Sequence, residues 1–177
     1  MADYEVIAEE TLTSTAVSID ITSIPATFTH LELVINARDN LASATVENGG
    51  MSVNGLSSGI YGIIGQYNSD GSLGSYNHTP NTWTYTSNAF TCIRNGMPAN
   101  TYAMTKWIFP NYTNTSVTRK GPIIQSSSAT TNNSKYWQFV GLGTITTSAV
   151  INRITLSSPS GSYPFMAGTS YYLAGWK

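Results

Sequence analysis

Charged side chains make up only 10% of this 177-residue chain, where a soluble domain usually carries about a quarter. It has two histidines, one cysteine, and no acidic residue beyond position 70. Each shortage removes a class of function. A single thiol, Cys92, cannot close an internal disulfide, so the fold must hold without cross-links. His30 and His78, without clustered cysteines, do not make a zinc ligand set. A nucleophilic triad lacks its Gly-x-Ser-x-Gly elbow, and Cys92 in "FTCIRN" sits in a β-like run, where a thiol is a small buried hydrophobe. Glycoside hydrolysis needs two carboxylates flanking a sugar, and residues 71–177 can supply neither. "NSDGS" (68–72) lacks the spacing and distal Glu of a calcium loop, and "NGG" (48–50) lacks the Lys and helix of a phosphate loop. "TRKG" (118–121) holds two charges, too few for a nucleic-acid stripe, and the pI near 6.0 agrees. No apolar run approaches the roughly 20 residues of a bilayer span. "MADYEVIAEE" is acidic and has no apolar core of a secretory signal. The expectation is a non-enzymatic protein with no metal or cofactor, binding neither nucleic acid nor membrane.

What replaces charge is Thr (24), Ser (22) and Asn (15), about a third of the chain. Net charge is −1 and aromatics reach 11%, which is not the composition of disorder. Thr, Tyr, Val and Ile suit a pleated surface, while Ser, Asn and Gly supply turns. Strand patterns fall at 4–12, 15–21, 29–38, 51–54, 59–67, 82–86, 89–94, 102–109, 116–125, 135–141, 143–147, 149–156 and 170–176. Between them lie "SIPAT", "ENGG", "NSDGS", "NHTPN", "RNGMP", "FPNYTN", "SSSATTNN" and "SPSGSYP". No stretch sustains a 3.6-residue apolar period with caps. The expected fold is all-β: one domain spanning 1–177, a β-sandwich of jelly-roll type with mostly antiparallel strands, and an N-terminal arm at about 1–12.

The small charge is unevenly placed. All nine acids lie in residues 1–70 with one base, Arg38, for a net of −8; residues 71–177 carry seven bases and no acid. Either the two segments interleave and neutralise each other, or they form complementary patches through which copies dock.

Three segments read as core strands: "ATFTHLELVINARDN" (26–40), "AVINRITLSS" (149–158) and "TSYYLAGWK" (169–177). In the first, Leu31, Leu33, Ile35 and Ala37 alternate with a row holding His30, Glu32, Asn36 and Arg38. That row has no partners that would complete a catalytic set. Glu32 and Arg38 read instead as a cross-strand pair or an intersubunit contact; Glu5, Glu9 and Glu10 are further candidate intersubunit contacts on the acidic arm, which reads either as a strand added to a neighbour or as an edge strand of its own chain. In "NTWTYTS", Trp83 and Tyr85 share one strand face, as half of a core face or as a stacking platform for a partner or a glycan. Trp107 and Trp137 read as packing residues. Sequons begin at Asn77, Asn111, Asn114 and Asn132, as chance predicts in a chain so rich in Ser, Thr and Asn.

"SIPATFTHLELVINARDN" followed by "INRITLSSPSGSYPFMAGTSYYLAGWK" resembles a group of small virion structural proteins of tailed bacteriophages, common among phages of cyanobacteria and marine bacteria. The resemblance rests on Ile24–Pro25 leading into a "THLxLxxxxR" strand (Thr29–Arg38), on "INxITL" (Ile151–Leu156), and on an aromatic–aliphatic–x–Gly–x–Lys tail (Tyr172–Lys177). Residues 41–135 match nothing in that group. The resemblance implies a protein assembled in the host cytoplasm and exposed on the virion. Its implied role is a head decoration (cement) protein bound to the major capsid protein as a homo-oligomer, a trimer by the usual symmetry. The alternative implied role is a tail fibre or spike module that binds host glycans.

Overall fold

A computed structural model of the chain describes residues 4–43, 46–56, 60–69, 72–77, 86–128, 137–159 and 162–177. Among them there are twelve strands and no helix: β1 Tyr4–Thr11, β2 Ser18–Ile21, β3 His30–Asp39, β4 Val46–Val53, β5 Ile60–Ser69, β6 Ser72–Asn77, β7 Thr86–Arg94, β8 Ala103–Phe109, β9 Ile123–Ser128, β10 Trp137–Ile145, β11 Ile154–Ser157 and β12 Ser170–Trp176. They form one mixed sheet with two wings. The long wing runs β1-β12-β3-β8-β9-β10-β5-β6, all antiparallel. The short wing runs β2-β11-β4-β7, and β7 joins the end of β3 in parallel at Arg38↔Ile93 and Asp39↔Arg94.

The central strands form where the inner side is largely apolar. Leu31, Leu33, Ile35 and Ala37 of β3 are all buried, as are Trp107 and Phe109 of β8 and Leu173 of β12. One core cluster draws on both wings, adding Ile19, Ile21, Met51, Val53, Phe90, Cys92, Ile154 and Leu156 from the short one. Part of the Ser and Thr content is interior. Thr91 on β7 and Thr105 on β8 each share a hydrogen bond with Ser126 Oγ on β9, at 2.7 and 2.8 Å, so buried hydroxyls satisfy one another between the wings.

Several expectations are corrected. "ENGG" is not a turn but the body of β4, in antiparallel register with β7. Gly49 is required there because a Cβ would lie 2.2 Å from Cζ of Phe90. The strand expected over 149–156 begins only at Ile154. Ahead of it, Asn54 (φ 55°) donates from Nδ2 to Val150 O, and its Oδ1 accepts from the amides of Asn152 and Arg153, holding that stretch out of the ladder. The expected strands 135–141 and 143–147 are one strand, β10, with an irregularity at Gly143/Thr144. Ser126–Ser128, expected in a loop, close β9, and β6 pairs with β5 where only a turn was expected. The strand expected over 4–12 is present as β1, Tyr4–Thr11, paired along β12 of the same chain.

Candidate functional site

The outer side of β3 carries His30, Glu32, Val34 and Asn36, and its neighbours build on that row. Tyr4 of β1, Trp176 of β12 and His30 of β3 form one cross-strand rung. The Tyr4 and Trp176 rings are 6.4 Å apart and stacked, and His30 lies 5.3 Å from Trp176. On the next rung Ala174 faces Glu32. Its single methyl leaves room for two phenols to reach the carboxylate: Tyr172 donates to Glu32 Oε1 at 2.8 Å and Tyr4 at 3.4 Å. Lys106 of β8 completes the shell with Nζ 2.9 Å from Oε2.

Burial pushes the Glu32 carboxyl upward, but the bonds from Lys106 and Tyr172 outweigh it and leave it below the usual range. A lowered carboxylate favours the fold above its unfolded pKa, and that contribution is lost as pH falls through the folded value. Tyr172 is pushed up by burial and by its bond to Glu32. The cluster is a closed set of matched donors and acceptors, which suits it to holding a surface in shape rather than to proton transfer.

Three ion pairs answer the question of charge placement. Glu32–Lys106, Glu47–Arg94 and Asp20–Arg153 each join an acid of residues 1–70 to a base of residues 71–177. The Asp20 pair is bidentate at 2.8 and 2.7 Å, with Thr155 donating as well. The two halves interleave, and each pair lies within one wing, Arg153 standing just ahead of β11. Glu5, Glu9 and Glu10 stay exposed on the edge strand β1, where carboxylates discourage strand-to-strand aggregation.

Arg38 sits elsewhere than its place in the row suggests. At 4% exposure its guanidinium is wrapped by the 95–101 loop. It donates to the carbonyls of Asn95, Met97, Pro98 and Thr101 and to the side-chain oxygens of Asn95 and Thr101, at 2.7–3.3 Å. β3 leaves the β8 ladder after Ala37↔Ala103 and meets β7 at residue 38, so both sides of the strand become interior there. As an intersubunit contact Arg38 is therefore corrected: its hydrogen bonding is spent inside the subunit.

Asp39, beside it, is 1% exposed. Oδ1 accepts from the Leu41 amide at 3.0 Å, and Oδ2 is buried with no hydrogen-bond partner among the described residues. Burial raises its pKa, opposed by the Leu41 amide and by Arg94. The folded state thus holds this proton more tightly than the unfolded chain, and stability falls as pH rises from the unfolded value of about 4 through the raised one. Asp39→Asn keeps an acceptor for Leu41 and removes the charge. We expect its melting temperature at pH 7 to exceed wild type by a few degrees, with the gap closing toward pH 3, as followed by thermal melts across pH.

Further along the wing the outer side turns apolar. Ile108, Ile123 and Leu142 form one rung across β8, β9 and β10; Lys106, Gln125 and Val140 form the next; Met104, Ser127 and Gln138 the third. Leu142 is 61% exposed, Val140 60%, Met104 43% and Ile123 37%. Four large apolar side chains exposed on three adjacent strands make a patch rather than scattered exceptions.

No known protein family and no curated protein matches the chain. The candidate site therefore stands on geometry alone. Among the described residues no group of three His, Cys, Asp or Glu could hold a metal ion. The Cys92 thiol is fully buried and its pKa is pushed well up by burial, then by Asp39 and Glu47. Trp107 is a core residue, stacked 5.8 Å from Phe109. Trp83 and Tyr85 lie outside the described residues, as do "NHTPN" past Asn77 and the 129–136 part of "SSSATTNN". The exposed residues of β9 and β10 were not singled out from sequence. Each strand mixes apolar with polar or small residues on both sides, so alternation does not say which side faces water.

Proposed function

We propose that this chain is a non-enzymatic structural protein of a tailed-bacteriophage virion, a head decoration protein that binds the major capsid protein as a homo-oligomer. In this reading the two wings are the layers of a β-sandwich of jelly-roll type. The protein assembles in the host cytoplasm and is exposed on the particle. The observation that carries the reading is the outer side of the long wing, an apolar patch bordered by aromatics and a satisfied ion pair, which is the chemistry of a contact surface. The likeness of β3, β11 and β12 to virion proteins supplies the context. Mechanically, such a protein would hold capsomers together through many modest contacts that sum by avidity over a lattice.

The test is a count of copies per particle, by quantitative mass spectrometry of purified virions separated into heads and tails. Hundreds of copies on heads are expected. A few copies found only on isolated tails would favour the second reading, a fibre or spike module, for which the partly exposed Tyr4–Trp176–His30 rung would serve as a stacking platform for host glycans. Absence from virions would end both.

A further inference from the structure

We infer that β1 is a strap that opens from β12 as one unit, about a hinge at Leu12, while the rest of the sheet stays closed. Opening turns β12 from an inner strand into a sheet edge and separates Tyr4 from Trp176 and Glu32. The strap acts within one subunit, whatever the protein binds.

Residues directly opposite one another on neighbouring strands share a side of the sheet. On the inner side, three rungs therefore hold Glu5, Gly175 and Leu31; Ala8, Leu173 and Leu33; and Glu10, Tyr171 and Ile35. Leu31, Leu33, Ile35 and Leu173 are fully buried there, whereas β1 brings two carboxylates and one methyl group. A carboxylate does not follow its neighbours into a core unpaired, and neither Glu5 nor Glu10 has an ion pair among the described residues. No residue of β1 is buried as a result, although the strand is eight residues long. An irregularity between Val6 and Ala8 takes Ile7 out of register, and Ile7 and Ala8 pack only partly against the core. Beyond the ladder, the strap is held by the Tyr4–Trp176 stack and by two long hydrogen bonds of 3.4 Å, Tyr4 to Glu32 and Tyr171 to Glu10.

The chain is pinned immediately afterwards. Leu12 is buried, its amide donates to Thr169 O at 2.8 Å, and its carbonyl accepts from the Gly168 amide at 2.7 Å. Ala16 and Phe165 then exchange both of their backbone bonds. Peeling therefore stops at Leu12. β2 supplies the contrast, since it is also an edge strand, paired only to β11, and is half as long. Yet Ile19 and Ile21 anchor it at 4% and 2% exposure. Ladder length would make β1 the firmer edge, and burial makes it the looser one.

Native-state hydrogen exchange on the full chain, read residue by residue at guanidinium concentrations below the unfolding transition, tests the strap. The ladder amides of β1 are expected to exchange together, about 100-fold or more faster than those of β2 and β3, through an open state populated at roughly 0.1–10%. Their rates should be nearly flat in denaturant, because opening exposes little new surface. Glu10→Val, which puts an aliphatic side chain on the inner side, is expected to slow them about 10-fold. A second readout is a protease that cuts after glutamate and needs an extended strand freed from its ladder. It should cleave the folded chain after Glu9 or Glu10, spare Glu32 and Glu47 within β3 and β4, and leave a body that still melts cooperatively. Exchange of β1 as slow as that of β3 overturns the proposal. So does exchange no faster than that of β2, or graded from Tyr4 inward, either of which is ordinary fraying of an edge. Rates unmoved by Glu10→Val, or cleavage after Glu9 and Glu10 only once the whole chain unfolds, overturn it equally.

Discussion

Replacing Arg38 by alanine is expected to lower stability by about 3–4 kcal/mol, close to 10 °C in melting temperature for a chain of this size. The guanidinium gathers four carbonyls and two side-chain oxygens of residues 95–101, and that segment has no strand ladder of its own to fall back on. Hydrogen bonds to a charged donor are individually stronger than neutral ones, and here one donor group serves the whole loop. Its loss frees the loop and loosens Met97, which packs with Ile93 and Ala103 in a small apolar cluster beneath it. Arg38→Lys should recover little, because an ammonium cannot fan out over carbonyls as a planar fork does. Denaturant unfolding measures the loss, and hydrogen exchange locates it. Protection should fall first at the amides of Asn95, Gly96 and Met97, which now bond to Leu41, Ser43 and Arg94. Unfolding unchanged to within 1 kcal/mol would show that the loop is held by something else.

The second large effect is expected at Gly175. It lies on β12, paired on one side to Glu5 and on the other to Leu31, so its backbone cannot yield. Phe28 lies across its inner side, and a Cβ there would come 2.4 Å from both Cγ and Cδ2 of the ring and 3.0 Å from Phe28 Cβ. The clash is with the root of the side chain, which a rotation of the ring cannot relieve. Gly175→Ala should therefore cost about 3 kcal/mol, the upper part of the range for overpacked cores. Phe28→Ala alone leaves a cavity of similar cost. The two together should cost scarcely more than Phe28→Ala, because the ring that makes the methyl intolerable is gone. A double-mutant cycle by denaturant unfolding reads this as a coupling of well over 1 kcal/mol, and strict additivity would remove the explanation.

These two sites divide what the sequence discloses from what it hides. The glycine of "YLAGWK" is visible as a motif, yet its reason lies in a ring almost 150 residues away, and no local rule connects them. Gly49 is the same case with Phe90: read locally, "ENGG" is a turn, and only the cross-strand ring makes it strand. Alternation worked for β3, which keeps β12 on one side and β8 on the other from Leu31 to Asn36. It failed at Arg38 because the strand changes partner there, and at Asn152 and Arg153 because one asparagine side chain, Asn54, replaces ladder bonds with its own. The outer-face cluster was half legible. Glu32 was visible as a cross-strand candidate, and Lys106 is its diagonal neighbour on β8, but the converging phenols of Tyr4 and Tyr172 required the register across β1, β12 and β3.

The pairing of β3 with β12 also bears on how the chain reaches its fold. Glu32 and Tyr172, bonded across that ladder, are 140 residues apart in sequence. By contrast β8, β9 and β10 succeed one another between residues 103 and 145 and can zip as neighbours. The entropy of closing the long loop must be spent before the β3–β12 ladder returns anything, and a topology of this kind places folding in the millisecond-to-second range rather than microseconds. Until β12 arrives, β3 has an open strand edge beside the apolar row of Leu31, Leu33 and Ile35, a surface prone to aggregation. Refolding yield should then fall as protein concentration rises.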